Sequence, residues 1–120
     1  MSVTIGPPDM TVVYLCHPVS GDVAGNLRRA ERWVKWIETT YPVAVVASWI
    51  TECRIWDDNN PEHRAAGLRR DFAVLARCDE VWLVGGRISN GMAYEAAYAR
   101  QCEIPVVDMT SLGDEPPEIG

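Results

Sequence analysis

Basic residues are scarce in this chain of 120 residues, which carries eleven of them against seventeen acidic residues and a net charge of −6. A protein that binds the phosphate backbone of a nucleic acid needs a basic stripe, so the charge argues against a nucleic-acid polymer as partner. Long apolar runs are also absent, since none approaches the roughly 20 residues that cross a membrane. Residues 1–10 lack the basic start and apolar stretch of a signal peptide. We therefore expect a soluble protein with no membrane partner.

Paired cysteines are missing as well. The four cysteines are scattered without a C-x-x-C pair, and neither His17 nor His63 stands at a zinc-type interval from them. We expect a reduced, cytoplasmic protein with no metal and no cofactor. A small anionic ligand stays compatible with the net charge, because one helix N-terminus and one arginine can bind it locally.

What the sequence does contain is an alternation of apolar runs and amphipathic stretches. Continuous apolar runs, typical of buried parallel strands, occupy 11–16, 43–47, 80–85 and 104–109. Helical spacing of apolar residues occurs at 24–39, 62–78 and 90–101, whereas 48–61 has no clean period and is expected to form a long loop. This order predicts one α/β domain with a doubly wound, Rossmann- or flavodoxin-like sheet. We expect four to five mostly parallel strands with helices on both faces.

The domain is expected to span residues 11–110, between a flexible lead-in (1–10) and a polar tail (111–120). In doubly wound sheets ligands bind outside the carboxyl ends of the strands. The segments that converge there are the loop after Cys16, the loop after Ala47 and the glycine-containing stretch 85–91. The sequence therefore predicts a ligand site at this edge.

Two carboxylates and a phenol are candidates for chemistry at that edge. Glu95 lies on a helix of small residues, Asp71 on the preceding helix and Tyr14 in the first strand. They could supply the nucleophile, the acid and the orienting group of glycosidic chemistry. Plainer interpretations remain open: a solvated Glu95, an Asp71 exposed beside Arg69 or Arg70, and a core tyrosine.

Three segments carry a resemblance to a known family. They read VYLCHPVSG (13–21), LRRDFAVLARCDEVWLV (68–84) and SNGMAYEAAYARQCEIPV (89–106). The last contains S-x-G-x-x-x-E-x-x-x-A-x-x-x-x-x-P-V, preceded in the chain by D-x-x-x-L-x-x-C-D. Over residues 11–108 the sequence resembles the nucleoside 2-deoxyribosyltransferase superfamily, including its nucleotide N-glycosidase branch and related small uncharacterised domains.

The resemblance implies a mechanism as well as a fold. Glu95 would attack C1′ of a (deoxy)ribosyl group and form a covalent sugar ester, which water or a second base resolves with net retention. Asp71 would protonate or hydrogen-bond the leaving base, and Tyr14 would orient the Glu95 carboxylate. The implied activity is hydrolysis of a nucleoside 5′-monophosphate. The alternatives are deoxyribosyl transfer, a non-catalytic nucleotide-binding or sensor module, and cleavage of NAD.

One position distinguishes the branches of the family that the sequence resembles. Six residues before the glutamate, the nucleoside transferases carry an aspartate, whereas the nucleotide hydrolases carry a serine, as here at Ser89. The resemblance thus implies a 5′-phosphate site made by Ser89, the Gly91 backbone and Arg87, with Ser20 and Gly21 adding donors from the first loop. A plain helix N-cap is the alternative for Ser89.

Tryptophans are the candidates for contact with the base and with a partner. Trp49 or Trp56 would stack on the base, although packing or an interface explains a tryptophan there equally well. The resemblance also implies a homodimer or larger homo-oligomer. Trp33 and Trp36, which lie beside the apolar stripe of the first helix, would suit its interface.

Overall fold

Strands and helices alternate through the part of the chain that the computed structural model describes, residues 9–57 and 59–118. The elements in chain order are β1 (Thr11–Cys16), α1 (Val23–Thr40), β2 (Val43–Val46), α2 (Trp49–Ile55), α3 (Pro61–Leu75), β3 (Glu80–Leu83), α4 (Asn90–Gln101), β4 (Val106–Asp108) and a 3₁₀ turn (Thr110–Leu112). Most of the predicted lead-in, residues 1–8, lies outside the described residues, as do residues 119–120 of the predicted tail.

The four strands form one sheet in the order β2-β1-β3-β4, and every pairing is parallel. Along β1, Thr11 pairs with Val43 on one side, and Cys16 pairs with Leu83 on the other. The chain therefore leaves β1 toward β2 and returns to the opposite side at β3. Such a change of direction opens a crevice at the carboxyl ends of the two central strands. The predicted α/β class with a parallel sheet is confirmed.

Both faces of the sheet are covered by helices, as predicted. Because successive strand residues point to opposite faces, Val13 and Leu15 face α1 and pack with its Trp33 and Ile37. The other face is covered by α3 and α4. Its buried core includes Tyr14, Cys16, Val81 and Leu83 from the strands, with Leu75, Met92, Ala96 and Ala99 from the helices.

Aromatic rings form a chain on the α1 face. Neighbouring rings of Trp33, Trp36, Tyr41 and Trp82 meet edge to face, with centroids 5.6, 5.9 and 5.1 Å apart in that order. Trp33 is 0% exposed within its own chain. The expectation that Trp33 lies at an interface between subunits is therefore wrong. The apolar stripe of α1 is wider than its spacing suggests, because this face of the sheet offers Trp82 to pack against.

The segment 48–61 is not the long loop that the sequence predicts. Residues Trp49–Ile55 form α2, and the buried Trp49 fixes it to the sheet by donating from its indole Nε1 to the Leu15 carbonyl oxygen, 2.8 Å away. A helix of two turns is too short to show a clear apolar period. Asn60 then caps α3, since its side chain accepts from the backbone amides of Glu62 and His63.

The polar segment after β4 packs back onto α1. The Trp33 indole donates to the Asp114 carbonyl oxygen at 2.9 Å, and the Arg32 guanidinium makes two hydrogen bonds to Glu115, of 2.9 and 2.6 Å. Asp114 also lies directly against Gly86, in the turn that follows β3. Asp114, in the segment predicted to be a tail, thus braces the turn that leads into α4. No helix among the described residues is long and apolar enough to span a membrane.

Candidate active site

A cavity of about 340 Å³ lies at the carboxyl ends of the strands, where α2, α3 and α4 meet the end of β1. Its walls include the predicted Glu95, Asp71, Gly91, Trp49 and Trp56. The remaining lining residues are His17, Val19, Glu52, Cys53, His63, Arg64, Gly67, Leu68, Arg70, Asn90 and Tyr94. Residues predicted from three separate segments of the sequence therefore meet at one concave surface.

Glu95 lies in the wall of this cavity, on α4, where two donors from β1 reach it. Tyr14 and Cys16 are two residues apart on the strand, so their side chains leave the same face of the sheet. Hydrogen bonding from the Tyr14 hydroxyl and the Cys16 thiol lowers the pKa of Glu95, but burial outweighs both and raises it to about 7. Glu95 is therefore not the freely solvated helix residue of the plainer interpretation.

Tyr14 is a core residue whose hydroxyl interacts with a charged group. The side chain is 0% exposed, and its hydroxyl interacts with Glu95 but makes no regular hydrogen bond to any described residue. Burial and the charges of Glu95 and Asp71 raise the pKa of Tyr14 far above its usual value, so the phenol keeps its proton. A phenol that keeps its proton stays a donor to the Glu95 carboxylate, which is the orienting role implied by the resemblance.

The thiol of Cys16 is a second donor to Glu95, and the sequence does not single it out. Burial, the charge of Glu95 and their hydrogen bond all raise the pKa of Cys16 well above its usual value, so it remains a thiol. A cysteine within an apolar run reads as a small core residue. The signal that could have found it is the two-residue step from Tyr14, which puts both side chains on one face of the sheet.

Asp71, on α3, brings a second carboxyl group to the cavity. Burial raises its pKa to about 8, helped by the charge of Glu52, a hydrogen bond with Glu52 and the charge of Glu95, whereas Arg70 lowers it. At neutral pH this group is mostly protonated, as a proton donor should be. Its Oδ1 has no hydrogen-bond partner among the described residues. The plainer interpretation paired Asp71 with Arg69 or Arg70, but Arg70 forms its ion pair with Glu52, at 3.3 Å.

Glu52 therefore belongs to the site, although the sequence gives no hint of it. It lies on α2, inside the segment that was expected to be a loop, and it lines the cavity beside Asp71. Its side chain is 19% exposed. The direction of a carboxylate side chain cannot be predicted in a segment expected to be a loop. Glu52 reaches α3 because the segment forms the helix α2.

The two tryptophans predicted to bind the base both reach the cavity, but in different ways. Trp49 is buried and hydrogen-bonded to the backbone of β1, so it contributes mainly packing. Trp56 is 44% exposed, with the Arg70 guanidinium 5.4 Å above its ring centroid and the His63 ring edge-on at 5.1 Å. Trp56 is accordingly the one with exposed ring surface for a ligand.

The residues predicted to bind phosphate are divided between two places. Gly91 lines the cavity of Glu95, whereas Ser20, Gly21 and Arg87 line a second cavity of about 260 Å³. Ser89 caps α4, because its hydroxyl oxygen accepts from the Met92 amide at 3.3 Å. The plain N-cap interpretation of Ser89 therefore describes its contacts, and its role toward a ligand stays a prediction.

Gly85 and His17 hold the first loop against the turn after β3. Gly85 has φ +102°, and a Cβ there would lie 2.7 Å from both the His17 ring and Pro18. The His17 Nδ1 is 2.7 Å from the Pro18 carbonyl oxygen; since that oxygen only accepts, Nδ1 carries the proton. Burial lowers the pKa of His17, which favours the neutral ring. The two cavities thus adjoin each other at His17 and Pro18.

Metal-binding side chains do not gather at this edge. No group of three or more histidine, cysteine, aspartate or glutamate side chains within residues 9–57 and 59–118 could hold a metal ion. What the cavity offers is acid–base and nucleophilic chemistry by carboxyl groups, with hydroxyl and thiol donors beside one of them.

Comparison with known proteins identifies a family of domains. The model of the family described as "Domain of unknown function (DUF7768)" matches residues 11–109, which contain all four strands and the three carboxyl groups of the cavity, Glu52, Asp71 and Glu95. No curated protein matches the chain. By the extent of that match, the chain belongs to the DUF7768 family.

Proposed function

We propose that this protein is an N-glycosidase that hydrolyses the base–sugar bond of a (deoxy)ribonucleoside 5′-monophosphate, with Glu95 as the nucleophile. One observation carries the proposal. The carboxyl group of Glu95 lies beside the Tyr14 hydroxyl and the Cys16 thiol, both of which lower its pKa, and it shares its cavity with Asp71, whose pKa of about 8 keeps it protonated at neutral pH. A nucleophile and an acid of different proton affinity are what a retaining glycosidase requires.

The proposed reaction has two steps, and Asp71 handles the proton in each. In the first step Glu95 forms an ester with C1′ of the sugar while the bond from C1′ to the base nitrogen breaks, and the base leaves with that electron pair and the proton of Asp71. In the second step Asp71 takes a proton from water as the water oxygen attacks C1′, which releases Glu95 as a carboxylate. The products are the free base and the sugar phosphate, with net retention at C1′.

The size of the cavity supports a mononucleotide rather than a dinucleotide substrate. Ligand pockets commonly range from about 300 to about 1,000 Å³. The cavity of Glu95, at about 340 Å³, is at the small end of that range. A base and a sugar suit it better than NAD does.

The second cavity supports a 5′-phosphate on that substrate. Arg87 lines it together with Ser20 and the Gly21 backbone, and Arg87 forms no ion pair within the described residues. Pro18 lines the second cavity, and His17, the residue before it, lines the first. A phosphate near Arg87 would thus lie in the cavity next to that of Glu95, on the other side of His17 and Pro18.

A reduced, cytoplasmic location and a homo-oligomer are parts of the same proposal. No disulfide joins the four cysteines, all of which the structure describes. Three apolar side chains of the cavity lining are exposed, with Trp56 at 44%, Leu68 at 46% and Tyr94 at 69%. A second copy of the chain that covers them would also cover the site.

The test is release of a base from a panel of nucleosides, nucleoside monophosphates and NAD, followed by chromatography. We expect release from a nucleoside monophosphate, loss of that release in Glu95→Gln, and unchanged release in Glu62→Gln, a matched variant at an exposed position. Free base should remain the main product when a second base is added in excess. A crossed nucleotide as the main product would assign transfer instead, and no release from any compound would contradict the proposal.

A further inference from the structure

Glu52 does not correspond to any residue that the resemblance assigns a role, yet it contacts one of the two reacting carboxyl groups. On the basis of the glycosidase function proposed above, we propose that Glu52 is a positioning residue: its carboxylate, fixed by Arg70, accepts a hydrogen bond from Asp71 and keeps Asp71 in the protonated form that donates to the leaving base.

The packing of α2 on α3 places Glu52 beside Asp71. Glu52 Oε1 lies 3.3 Å from Arg70 Nε, and its Oε2 lies 3.4 Å from the point that a Cβ on Gly67 would occupy. Gly67 precedes Asp71 by four residues on α3, so the two lie on one face of that helix, one turn apart. The side chain of Glu52 is therefore held over the turn that carries Asp71.

Among the described residues, Arg70 forms its ion pair with Glu52 rather than with Asp71. Two carboxyl groups in contact cannot both ionise without strong repulsion, so one of them keeps a proton. The guanidinium of Arg70 holds the Glu52 side chain in place, with 3.3 Å between Arg70 Nε and Glu52 Oε1. Asp71 lacks such a pair, and its pKa rises to about 8 through burial, the charge of Glu52, their hydrogen bond and the charge of Glu95. The proton accordingly stays on Asp71.

Groups from four elements face Asp71 and set its proton affinity. They are Glu52 from α2, Glu95 from α4, Arg70 from α3 itself, and the neutral Tyr14 and Cys16 from β1. Of the two carboxylates that face Asp71, Glu52 keeps its negative charge throughout the reaction. Glu95 loses its charge when it forms the ester with the sugar. Once Asp71 has given its proton to the base, the charge of Glu52 makes it a stronger base for the proton of water.

The experiment measures the proton on Asp71 directly as well as the rate. The carboxyl carbons of ¹³C-labelled aspartate are titrated by NMR in the wild type, in Glu52→Gln and in Glu62→Gln, and rate–pH profiles are recorded for the same proteins. Removing a like charge in contact should lower the Asp71 midpoint by roughly one unit or more. The alkaline limb of the rate–pH profile should move to lower pH by the same amount, and the rate at about pH 8 should fall about fivefold. Glu62→Gln should leave both curves in place.

Two further variants separate charge from packing. Glu52→Asp retains the charge and should restore most of the Asp71 midpoint. Arg70→Gln removes the cation that lowers the pKa of Asp71, so its midpoint and the alkaline limb should move upward, opposite to the effect of Glu52→Gln. A merely structural role for Glu52 would predict lost rate in both variants without these opposite shifts.

Failure of this inference and failure of the proposed function give different results. An Asp71 midpoint that is the same in Glu52→Gln and the wild type overturns the role of Glu52, even in a protein that releases base normally. A wild type that releases no base from any nucleotide overturns the proposed function, and the positioning role with it, whatever the titration shows.

Discussion

Asp71 on α3 and Glu95 on α4 line one cavity, and the charge of Glu95 helps to raise the pKa of Asp71. Burial raises both pKa values, that of Asp71 to about 8 and that of Glu95 to about 7. At a pH between these values, the prevailing form carries a charged Glu95 and a protonated Asp71. The two helices thus bring together a base and an acid in the protonation states that the proposed reaction needs.

The rate of base release should depend on pH as a narrow bell. It should rise with pH as Glu95 loses its proton near 7, because only the carboxylate attacks, and fall as Asp71 loses its proton near 8. The measurement is kcat/KM from about pH 5 to about pH 10. A flat alkaline side that extends to pH 10 would exclude Asp71 as the proton donor.

Cys16→Ala should move the acid limb of that bell to higher pH. The thiol donates to Glu95 and lowers its pKa, so its loss should leave a carboxyl group that ionises later. Cys16→Ser keeps a donor at the same position and should keep the limb near its wild-type place. Cys102→Ser, at an exposed position, serves as control. An acid limb that is the same in Cys16→Ala and Cys16→Ser would show that the thiol does not act on Glu95.

Glu95→Gln should be more stable than the wild type at alkaline pH while it is inactive. Folding raises the pKa of Glu95 from 4.5 to about 7, so the folded state loses stability as the pH rises through that window. Each pKa unit corresponds to about 1.4 kcal/mol, so the variant should gain on the order of 1–3 kcal/mol at pH 8. At about pH 4 the two proteins should be nearly equally stable, since the group is protonated in both states. Urea unfolding at the two pH values measures the difference, and a variant that is less stable at pH 8 would contradict the buried charge.

Gly85→Ala should destabilise the protein, because two independent constraints act at that position. The residue has φ +102°, and a methyl group would lie 2.7 Å from the His17 ring and from Pro18. We expect a loss of about 2 kcal/mol or more in the free energy of unfolding. Gly91→Ala is the matched control: its methyl group would meet no described atom within 4 Å, and alanine favours the helix by up to about 1 kcal/mol. Equal effects of the two substitutions would remove the requirement for glycine at 85.

Ser89→Asp should discriminate against the phosphate of the substrate without damage to the fold. Ser89 is the N-cap of α4, and aspartate is as good an N-cap as serine, so the free energy of unfolding should change little. The added charge should repel a 5′-phosphate, and KM for the nucleotide should rise tenfold or more, with little change for the nucleoside. A similar KM change for both substrates would separate Ser89 from phosphate recognition.

The sequence predicts most of the sheet but only part of the site. The strands are continuous apolar runs, and a buried parallel strand leaves a strong and local signal. Helix α2 spans only Trp49–Ile55, which is too short to show a helical spacing of apolar residues. Because α2 was not predicted, the position of Glu52 was not predicted either. Cys16 was missed for another reason: a thiol within an apolar run looks like packing until the position of Glu95 is known. Contacts between distant segments, such as Asp71 with Glu52, depend on tertiary structure and leave no trace in spacing.

The tryptophans of this protein form two separate sets of fluorescent reporters, and the chain of aromatic rings on the α1 face supplies one of them. Three of its five tryptophans, Trp33, Trp36 and Trp82, are packed against the face of the sheet away from the cavity. The other two, Trp49 and Trp56, line the cavity itself. A ligand that enters the cavity should therefore change the emission of the second set, whereas the first set should report on whether the sheet and α1 remain joined. Phenylalanine at both cavity positions would leave a protein whose fluorescence follows unfolding alone.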